Sequence, residues 1–400
     1  MSRKTLKALF HMGTNEYKEE YERRFNDENT IRLPVNIGDN RAFICQTPEI
    51  YKQIIAIERL DKEVTELYHS LPDTAIAQFT SKCLIDEILL TNDIEGVHST
   101  RKEIGEILQD LSSHNKRNRF VGLVTKYVML ENRQTIEFDT CRDIRKVYDD
   151  IFYEEIKTTD PENLPDGEFF RRSGVEVQSA SQKVIHKGLY PESEIIKAFE
   201  QSLTFLSDDS IDIFIRIAVF HYLFGYIHPF YDGNGRMSRF ISSYLLSKQL
   251  TPLIGFRLSY TIKENISRYY KAFDICNDPH NKGELTPFAE MFLDIIRISM
   301  HQLLETLEEK KQRWDHYKQC IAMLPNAEKT DISHLYDLLI QAALFSNIGI
   351  SREELIKNMG LSENTVRSRL KSIPKQLLIE NRQKGRKYYL LDLEQVDRMN

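Results

Sequence analysis

Residues 228–239 read HPFYDGNGRMSR, and this stretch decides the fold because it separates two apolar segments with a polar loop. An apolar run, residues 211–227, leads into the stretch, and a segment with helical periodicity, residues 237–250, leads out of it. Since the residue before a proline disfavours the α region, we expect the first helix to end at His228. The pattern therefore predicts two helices joined by a loop that carries the polar side chains.

The loop has the composition of a phosphate-binding site. Gly233 and Gly235 permit positive φ angles, so successive N–H groups can form a concave anion site at the start of the second helix. Arg236 and Arg239 are three residues apart and share a helix face, where guanidinium groups can pair with phosphate oxygens. Asp232 offers a hard oxygen ligand of the kind that suits Mg²⁺ held mainly by substrate phosphates.

His228 is the candidate general base, because an imidazole that titrates near neutral pH can take the proton of an attacking hydroxyl. With the phosphate site it predicts transfer of a phosphorus-containing group from a nucleotide to a hydroxyl. An EF-hand calcium loop is disfavoured, since Phe230 and Ile241 would stand where that loop needs carboxylates. Phe230 is instead expected to anchor the loop in the core. A plain joint between helices is the other alternative, but it does not need His, Asp and two Arg in register.

The stretch resembles the HPFx(D/E)GNGR motif of the Fic family, and Arg239 extends the match. The resemblance implies protein AMPylation, in which AMP passes from ATP, with Mg²⁺, to a Ser, Thr or Tyr hydroxyl of a target protein. It implies that His228 is the general base, that Asp232 is the Mg²⁺ ligand, and that Arg236 and Arg239 contact the β- and γ-phosphates. The ATP-binding residues that it implies in this stretch are Asp232, Gly233, Asn234, Gly235, Arg236, Met237, Ser238 and Arg239.

Thr91, Glu95 and Gly96 form a second motif. Taken alone, a Glu-Gly pair at a helix end indicates a C-cap with a solvated acid. Beside the Fic motif, the three residues fit the family pattern (S/T)xxxE(G/N) of an inhibitory helix, here about residues 80–96. The resemblance implies autoinhibition, in which Glu95 pairs with Arg239 and takes the space of the γ-phosphate.

Two further segments frame the nucleotide in this interpretation. Apolar residues on both sides of 178–183 predict a hairpin, either an ordinary surface hairpin or, as the resemblance implies, a flap that pairs with the backbone of the target. His186 on its second arm is expected to be a surface residue rather than a second base. Tyr269 and Asn277 have the spacing of the family's adenine and ribose contacts; the alternatives are core packing and a C-cap.

The predicted fold class is mainly α: a Fic helical core with a short β-hairpin flap, plus a C-terminal winged helix-turn-helix domain. We expect an N-terminal helical region over 1–110, a catalytic core over 111–308, a connector over 309–330 and a winged-helix domain over 331–400. Within the core, residues 287–307 are expected to form a closing helix, and a second helix over 310–323 would serve as the connector. Residues 1–45 read as a polar helix or flexible arm exposed to solvent.

The C-terminal module is predicted from its caps and its charge. Ser351 opens a capping box, Gly360 marks a tight turn and Ser362 caps the next helix. Eight Lys or Arg residues and one acidic residue lie between Arg367 and Lys387. Such a patch on a recognition helix and wing is typical of phosphate contacts, although winged helices also bind proteins.

Composition narrows the class of protein. The chain has 400 residues, of which 41% are hydrophobic, and this content suffices for buried cores. The formal net charge of −6 argues against a generic polyanion-binding protein. We expect no membrane association, since no apolar run approaches ~20 residues, and a cytoplasmic location, since the five cysteines lack CxxC spacing. The expected partners are a target protein with an acceptor hydroxyl, DNA or a protein for the winged helix, and a second copy of the chain.

Three alternatives in function stay open at this point. The chain could be a DNA-binding regulator whose Fic core senses nucleotide. It could remove AMP from a modified target, with Glu95 positioning the water. It could also transfer another phosphate-containing group, because the motif does not specify which one.

Overall fold

Helices dominate the computed structural model of the chain, which describes residues 3–13, 16–111, 118–178 and 184–399. The mainly α fold class is confirmed. No helix in these ranges combines the length and the apolar character needed to cross a lipid bilayer. The α-helices in the described ranges are α1 (Leu6–His11), α2 (Glu16–Asn26), α3 (Pro48–Ser70), α4 (Asp73–Ile94), α5 (Arg101–Asp110), α6 (Val121–Glu131), α7 (Cys141–Thr159), α8 (Glu192–Leu206), α9 (Ile213–Ile227), α10 (Asn234–Gln249), α11 (Leu258–Glu264), α12 (Ile266–Asn277), α13 (Thr286–Cys320), α14 (Thr330–Phe345), α15 (Arg352–Met359), α16 (Glu363–Ser372) and α17 (Leu393–Asp397).

The strands form small antiparallel sheets. β1 pairs with β2, β3 pairs with β4, and a three-stranded sheet has the order β5-β7-β6. The predicted hairpin is the β3–β4 pair; its tip, residues 179–183, lies outside the described residues. The strands are β1 (Thr30–Ile37), β2 (Asn40–Cys45), β3 (Glu176–Gln178), β4 (Val184–Lys187), β5 (Ile350–Ser351), β6 (Leu378–Gln383) and β7 (Arg386–Leu391).

Helix α9 is the centre of the core that carries the polar loop. It is apolar on all sides and almost all of its residues are buried, as expected of a helix surrounded by other elements. It packs against α8 and α10. Because the loop 228–233 joins two packed helices, its backbone is held at both ends.

The N-terminal segment corrects an expectation. The described residues 3–13 and 16–45 are not a solvated arm: α1, α2, β1 and β2 pack into the fold, and Leu6 and Phe43 are fully buried. The missed signal is the alternation Leu33, Val35, Ile37, which places three apolar side chains on one face of β1. The polar composition of α2 gave no indication that this helix packs against β1 and β2.

Helix α13 runs further than we expected. α13 is one continuous helix from Thr286 to Cys320, so the separate connector helix over 310–323 is wrong. Ion pairs at i,i+4 spacing, Arg313 with Glu309 and Lys311 with Asp315, support the continuation.

The chain forms two compact units. Unit 1 comprises Met1–Leu60 and Glu87–Met300, and unit 2 comprises Asp61–Asp86 and His301–Asn400. Three helices, α3, α4 and α13, therefore contribute residues to both units. The boundaries proposed for the domains stay predictions.

Unit 2 contains the C-terminal module. The capping box at Ser351, the left-handed Gly360 and the N-cap at Ser362 are confirmed. Phe79 of α4 packs edge-on against Phe345 of α14, with ring centroids 6.4 Å apart. The element order is α14-β5-α15-α16-β6-β7-α17, and assignment of this order to a winged helix stays a prediction.

Candidate active site

The loop after α9 is held by side chains from the core. Phe230 is fully buried and stacks on Tyr148 with ring centroids 3.6 Å apart, so its predicted anchoring role is confirmed. The Asn234 side chain accepts from the Phe230 N–H at 2.9 Å and donates to the Phe230 carbonyl at 2.8 Å. The amide of Asn234 therefore closes the loop on itself and brings the start of α10 close to His228.

The start of α10 has the backbone of an anion site. Gly233 is its N-cap at φ 78°, in the left-handed region that favours glycine. A Cβ on Gly235 would lie 2.1 Å from the Glu95 carboxylate, so the absence of a side chain there makes room for that acid. Met237 and Ser238 of the same turn are buried, and the Ser238 hydroxyl lies 3.1 Å from His221 Nδ1. The side chains of Met237 and Ser238 thus face the core. The backbone N–H groups of the first turn of α10 are the groups that could bind an anion.

Arg239 meets the predicted inhibitory segment. Its Nη2 lies 2.8 Å from Glu95 Oε1, and its Nε donates to the Thr91 hydroxyl at 2.8 Å. Nη2 also donates to the Thr91 carbonyl at 3.0 Å. Arg239 is 1% exposed, and Gly96 follows Glu95 at φ 71° as the helix ends. The three motif residues and Arg239 are therefore adjacent, although they are ~145 positions apart in sequence.

Arg236 is held by a residue that the sequence analysis missed. Its Nη1 lies 2.7 Å from Glu155 Oε1, and both side chains are buried. The guanidinium lies over the Phe152 ring at 4.7 Å. Arg236 Nε and Glu155 Oε2 are buried without a hydrogen-bond partner, which is unusual in a folded protein. The only signal in the sequence was the register of Glu155 on α7, three residues after Phe152.

Burial keeps His228 neutral. It caps α9 in the left-handed region at φ 52°, and its N–H donates to the Phe224 carbonyl. Burial, with smaller effects of the nearby His186 and Arg171, lowers the pKa of His228 to about 4. His186 is partly buried, with Nε2 2.5 Å from the Tyr226 carbonyl and its ring against Tyr226, so the expected surface position is wrong. A neutral imidazole at pH 7 is the form that accepts a proton.

Tyr269 and Asn277 both lie on α12 and are held from α9. The Tyr269 hydroxyl lies 2.7 Å from His221 Nε2, and the Tyr222 hydroxyl donates to Asn277 Oδ1 at 2.6 Å. Tyr269 is buried. Burial, with a smaller effect of Arg239, lowers the pKa of His221 to about 3. His221 and Tyr222 could not be identified from the sequence, because a histidine and a tyrosine are unremarkable in an apolar helix.

Another missed residue, Glu87, lies two turns before Glu95 on the same face of α4. It is fully buried and accepts from the Ser259 N–H at 2.9 Å and from the Ser259 hydroxyl at 2.5 Å. Burial raises the pKa of Glu87 to about 7. The face of α4 that carries Glu87 and Thr91 is therefore a polar contact that includes a carboxyl group titrating near neutral pH.

Asp232 is the one predicted metal ligand. Its side chain is 47% exposed and lies 3.8 Å from Arg236 Nη2, and its Oδ1 accepts from the Gly233 N–H at 2.5 Å. In the described part of the chain, no group of three or more His, Cys, Asp or Glu side chains is arranged to hold a metal ion. One half-exposed carboxylate fits Mg²⁺ carried mainly by phosphates and does not fit a cage made of protein ligands alone.

The chain is similar in sequence to known proteins of one family. Residues 138–246 match the model of the Fic/DOC family. The protein adenylyltransferase Fic of Aedes aegypti is 27% identical over 249 residues, which is 59% of this chain and 45% of the relative. The protein of the same name from Drosophila ananassae is 27% identical over 227 residues, 55% of this chain and 41% of the relative. The chain thus spans less than half the length of these curated relatives.

A solved structure has a similar fold. The crystal structure of a Fic family protein from Desulfovibrio desulfuricans superposes with a TM-score of 0.53 at 21% identity, over 86% of this chain and 96% of that one. At this identity the likeness concerns the fold alone. The matched family segment contains the whole loop 228–239 and the helices α7, α8, α9 and most of α10. The chain therefore contains a domain of the Fic/DOC family over residues 138–246.

Proposed function

We propose that the chain transfers AMP from ATP to a hydroxyl of a target protein and that Glu95 inhibits the transfer. One observation carries the proposal: a neutral His228 lies on the same short loop as the anion-binding start of α10, from which Arg236 and Arg239 project. The relatives named protein adenylyltransferase support the same activity. Because this chain spans less than half of their length, we extend the activity to it as a proposal.

The chemistry assigned to each residue follows from its charge and position. The His228 imidazole accepts the proton of the acceptor hydroxyl as that oxygen attacks the α-phosphorus of ATP. A bond forms between the hydroxyl oxygen and phosphorus, and the bond from phosphorus to the α,β-bridging oxygen breaks. Arg236, Arg239 and the first N–H groups of α10 neutralise the charge on the departing pyrophosphate. Asp232 would hold Mg²⁺, which supplies further positive charge to the phosphates.

Inhibition follows from competition for Arg239. The Glu95 carboxylate lies 2.8 Å from Arg239 Nη2 and against the Cα of Gly235. A third phosphate and a carboxylate cannot both occupy that position, because both are anions with the same partner. We infer that ATP binds weakly, or in a pose unsuited to attack, while Glu95 stays paired.

The test compares the full chain with Glu95→Gly, which removes the carboxylate. We expect Glu95→Gly to bind ATP at least tenfold more tightly and to attach AMP to itself or to a target, as measured by calorimetry and intact mass spectrometry. Adding His228→Ala should abolish transfer while ATP binding remains. The matched control is Asp93→Asn, which removes an exposed acid of α4 that pairs with Lys263.

The outcomes separate the claims. A Glu95→Gly chain that bound ATP no more tightly and transferred nothing would end the inhibitory assignment. Full transfer by the variant that also lacks His228 would exclude His228 as the base. Release of AMP from a premodified protein would indicate the reverse reaction, and a different added mass would indicate another transferred group.

A second candidate function, nucleic-acid binding by unit 2, is favoured by a cationic pocket. A cavity of about 520 Å³ lies among α15, α16 and the strands β6 and β7. On α16, Arg367 and Lys371 are exposed one turn apart, with Ser368 between them. Glu380, paired with Lys387, is the acidic residue of the lining. The cationic residues that line the pocket are Arg352, Arg367, Lys371, Lys375 and Lys387.

The pocket predicts salt-dependent affinity for duplex DNA. Neutralising phosphates with lysine releases counterions, so the double variant Lys371→Ala, Lys375→Ala should weaken binding and lower the dependence on salt. Fluorescence anisotropy across a salt series measures both effects. Lys357→Ala, an exposed lysine of α15 outside the pocket, is the control. Equal binding by both variants, or tighter binding of RNA, would reject duplex DNA as the ligand of the pocket.

A further inference from the structure

Arg171 is one of the largest fully buried side chains of the protein. Among the described residues, the hydrogen bonds of its guanidinium run to backbone carbonyls. Nε donates to the carbonyl of His228 at 2.9 Å, Nη1 to that of Ser173 at 2.5 Å, and Nη2 to that of Leu189 at 2.8 Å.

The burial of this cation lacks the usual compensation. Within the part of the chain that the structure describes, no carboxylate forms an ion pair with Arg171, and its guanidinium donates to three backbone carbonyls. Burial lowers the pKa of Arg171, although arginine stays protonated. Since burying a charge without a counter-charge is costly, simple stabilisation is a poor reason for an arginine here.

The three carbonyls belong to two functional segments. The first follows α9 and carries His228, and the Arg171 N–H adds a bond to the Pro229 carbonyl at 3.2 Å. Ser173 and Leu189 lie just outside the two ends of the hairpin β3–β4. One guanidinium therefore joins the base-bearing loop to both ends of the candidate flap.

Gly188 shows how tightly this junction is packed. A Cβ at residue 188 would lie 2.4 Å from Arg171 Nη2 and 3.1 Å from the Cβ of His228. The Leu189 N–H also donates to the Ile227 carbonyl at 3.1 Å. The flap base, the guanidinium and the histidine thus touch one another, and a displacement of one would move the others.

We propose that Arg171 is a positioning residue that sets His228 and the β3–β4 hairpin in one geometry, so that the imidazole meets the hydroxyl of a target segment lying along the hairpin. The proposal rests on the function proposed above and adds a residue to it. The planar fork of arginine can donate in three directions at once, whereas a lysine ammonium is a point charge on a flexible stem. Small displacements of a base from its reacting partner cost large factors in rate.

Arg171 also affects the protonation of His228. The charged or titratable groups around that imidazole are His186 from β4, Arg171 itself and Glu95 from the end of α4. His186 and Arg171 oppose protonation of His228, and Glu95 favours it. Removing the guanidinium should therefore raise the pKa of His228, whereas a purely structural role elsewhere would leave it unchanged.

The experiment uses the full chain with Glu95→Gly, so that transfer is measurable. We expect Arg171→Lys to lower kcat about 10- to 100-fold with a KM for ATP within about twofold, because the phosphate contacts are made by α10. Arg171→Gln should lower kcat at least as far and raise the pKa of the His228 ring, read by NMR titration of its C–H signals. Arg172→Gln, at the neighbouring exposed arginine, is the matched control and should change neither quantity.

The proposal is overturned if Arg171→Lys and Arg171→Gln both keep kcat within twofold, or if the His228 titration is unchanged in Arg171→Gln. If Arg171→Gln does not fold, Arg171→Lys and Gly188→Ala test the proposal instead. Gly188→Ala keeps the guanidinium but places a Cβ where Arg171 Nη2 lies. Gly188→Ala should lower kcat in the same way, and unchanged kcat would count against the proposal. Failure of the parent Glu95→Gly chain to transfer AMP rejects the proposed function instead, and the NMR titration still decides whether Arg171 acts on His228.

Discussion

At the scale of single residues, burial rather than residue type determines the chemistry of the site. His228 is an ordinary histidine in the sequence, yet burial, with smaller effects of His186 and Arg171, lowers its pKa to about 4. Arg236 is an ordinary cation, yet it is fully buried against Glu155. In both cases the environment converts a common side chain into a group with one defined protonation state or one defined direction.

The lowered pKa of His228 predicts the pH dependence of transfer. A base acts when it is unprotonated, so the rate should be flat from pH 6 to 8 and should fall only as the pH approaches about 4. The measurement is a pH profile of kcat for the Glu95→Gly variant. A half-maximal rate near pH 6.5, the value of an ordinary histidine, would show that His228 is not shifted or is not the base.

Glu155 should matter for stability as well as for nucleotide binding. Glu155→Gln leaves the buried Arg236 without its 2.7 Å anionic partner, and breaking a buried pair from one side costs about 3 kcal/mol or more. Urea unfolding of both chains measures the loss of free energy. Glu154→Gln, at the exposed neighbouring position, should stay within about 0.5 kcal/mol, and an equal effect of both substitutions would contradict the prediction.

At the scale of elements, polar contacts hold α4 against the site. Glu87 and Thr91 lie on its buried face and Glu95 follows its last turn, at intervals of four residues, so this side of the helix contacts both α10 and the start of α11. The contacts are hydrogen bonds and an ion pair rather than apolar packing alone. Such a face holds its position through protonation states and partners, and both can be changed by conditions.

Glu87 predicts a pH-dependent contribution to stability. Its pKa is raised from 4.5 to about 7, so the folded state binds the proton more tightly than the unfolded state does. Its stabilisation is fully present below pH 4.5 and is lost as the pH rises through about 7, a change of about 3 kcal/mol. In Glu87→Gln, which does not titrate, this component should vanish.

The measurement for Glu87 is urea unfolding of both chains from pH 4.5 to 8. The difference in free energy of unfolding between wild type and Glu87→Gln should decline across that window, because other titrating groups cancel in the difference. A constant difference would mean that Glu87 does not titrate there. Hydrogen exchange of residues 87–94 then locates the effect on α4.

At the scale of the whole molecule, three long helices each contain residues of both compact units. α3, α4 and α13 contribute to both compact units. Inside unit 1, the N-terminal hairpin β1–β2 pairs with the segment before α13: the Phe43 N–H donates to the Gly283 carbonyl, and the Phe43 carbonyl accepts from the Leu285 N–H. Buried Glu284 is paired with Arg3 and Arg24 from the first 24 residues. The core that surrounds the Fic motif is therefore built from much of the chain.

A fragment comprising residues 111–308 should not fold as the full chain does. It would leave Arg239 and Glu284 buried without Glu95, Arg3 and Arg24, and uncompensated buried charges cost several kcal/mol each. We expect no cooperative thermal transition by circular dichroism, in contrast to the full chain. A sharp transition with an intact near-UV spectrum would show that the N-terminal region is dispensable.

The amino-acid sequence by itself determined what depends on neighbours along the chain. It located the loop 228–239 between two helices, the caps at Ser351 and Ser362, and the motif that includes Glu95, because proline, glycine and capping residues act over a few positions. Matching two short motifs also predicted that Glu95 and Arg239 would meet.

Only the tertiary structure decided the rest. The packing of residues 1–45, the Glu155 partner of Arg236, the Glu87 contact and the three carbonyls on Arg171 all join residues distant in sequence. The physical reason is that burial and the identity of a polar group's partner are set by which helices meet. Local periodicity predicts that a helix has a buried face, but it does not say which side chain that face will touch.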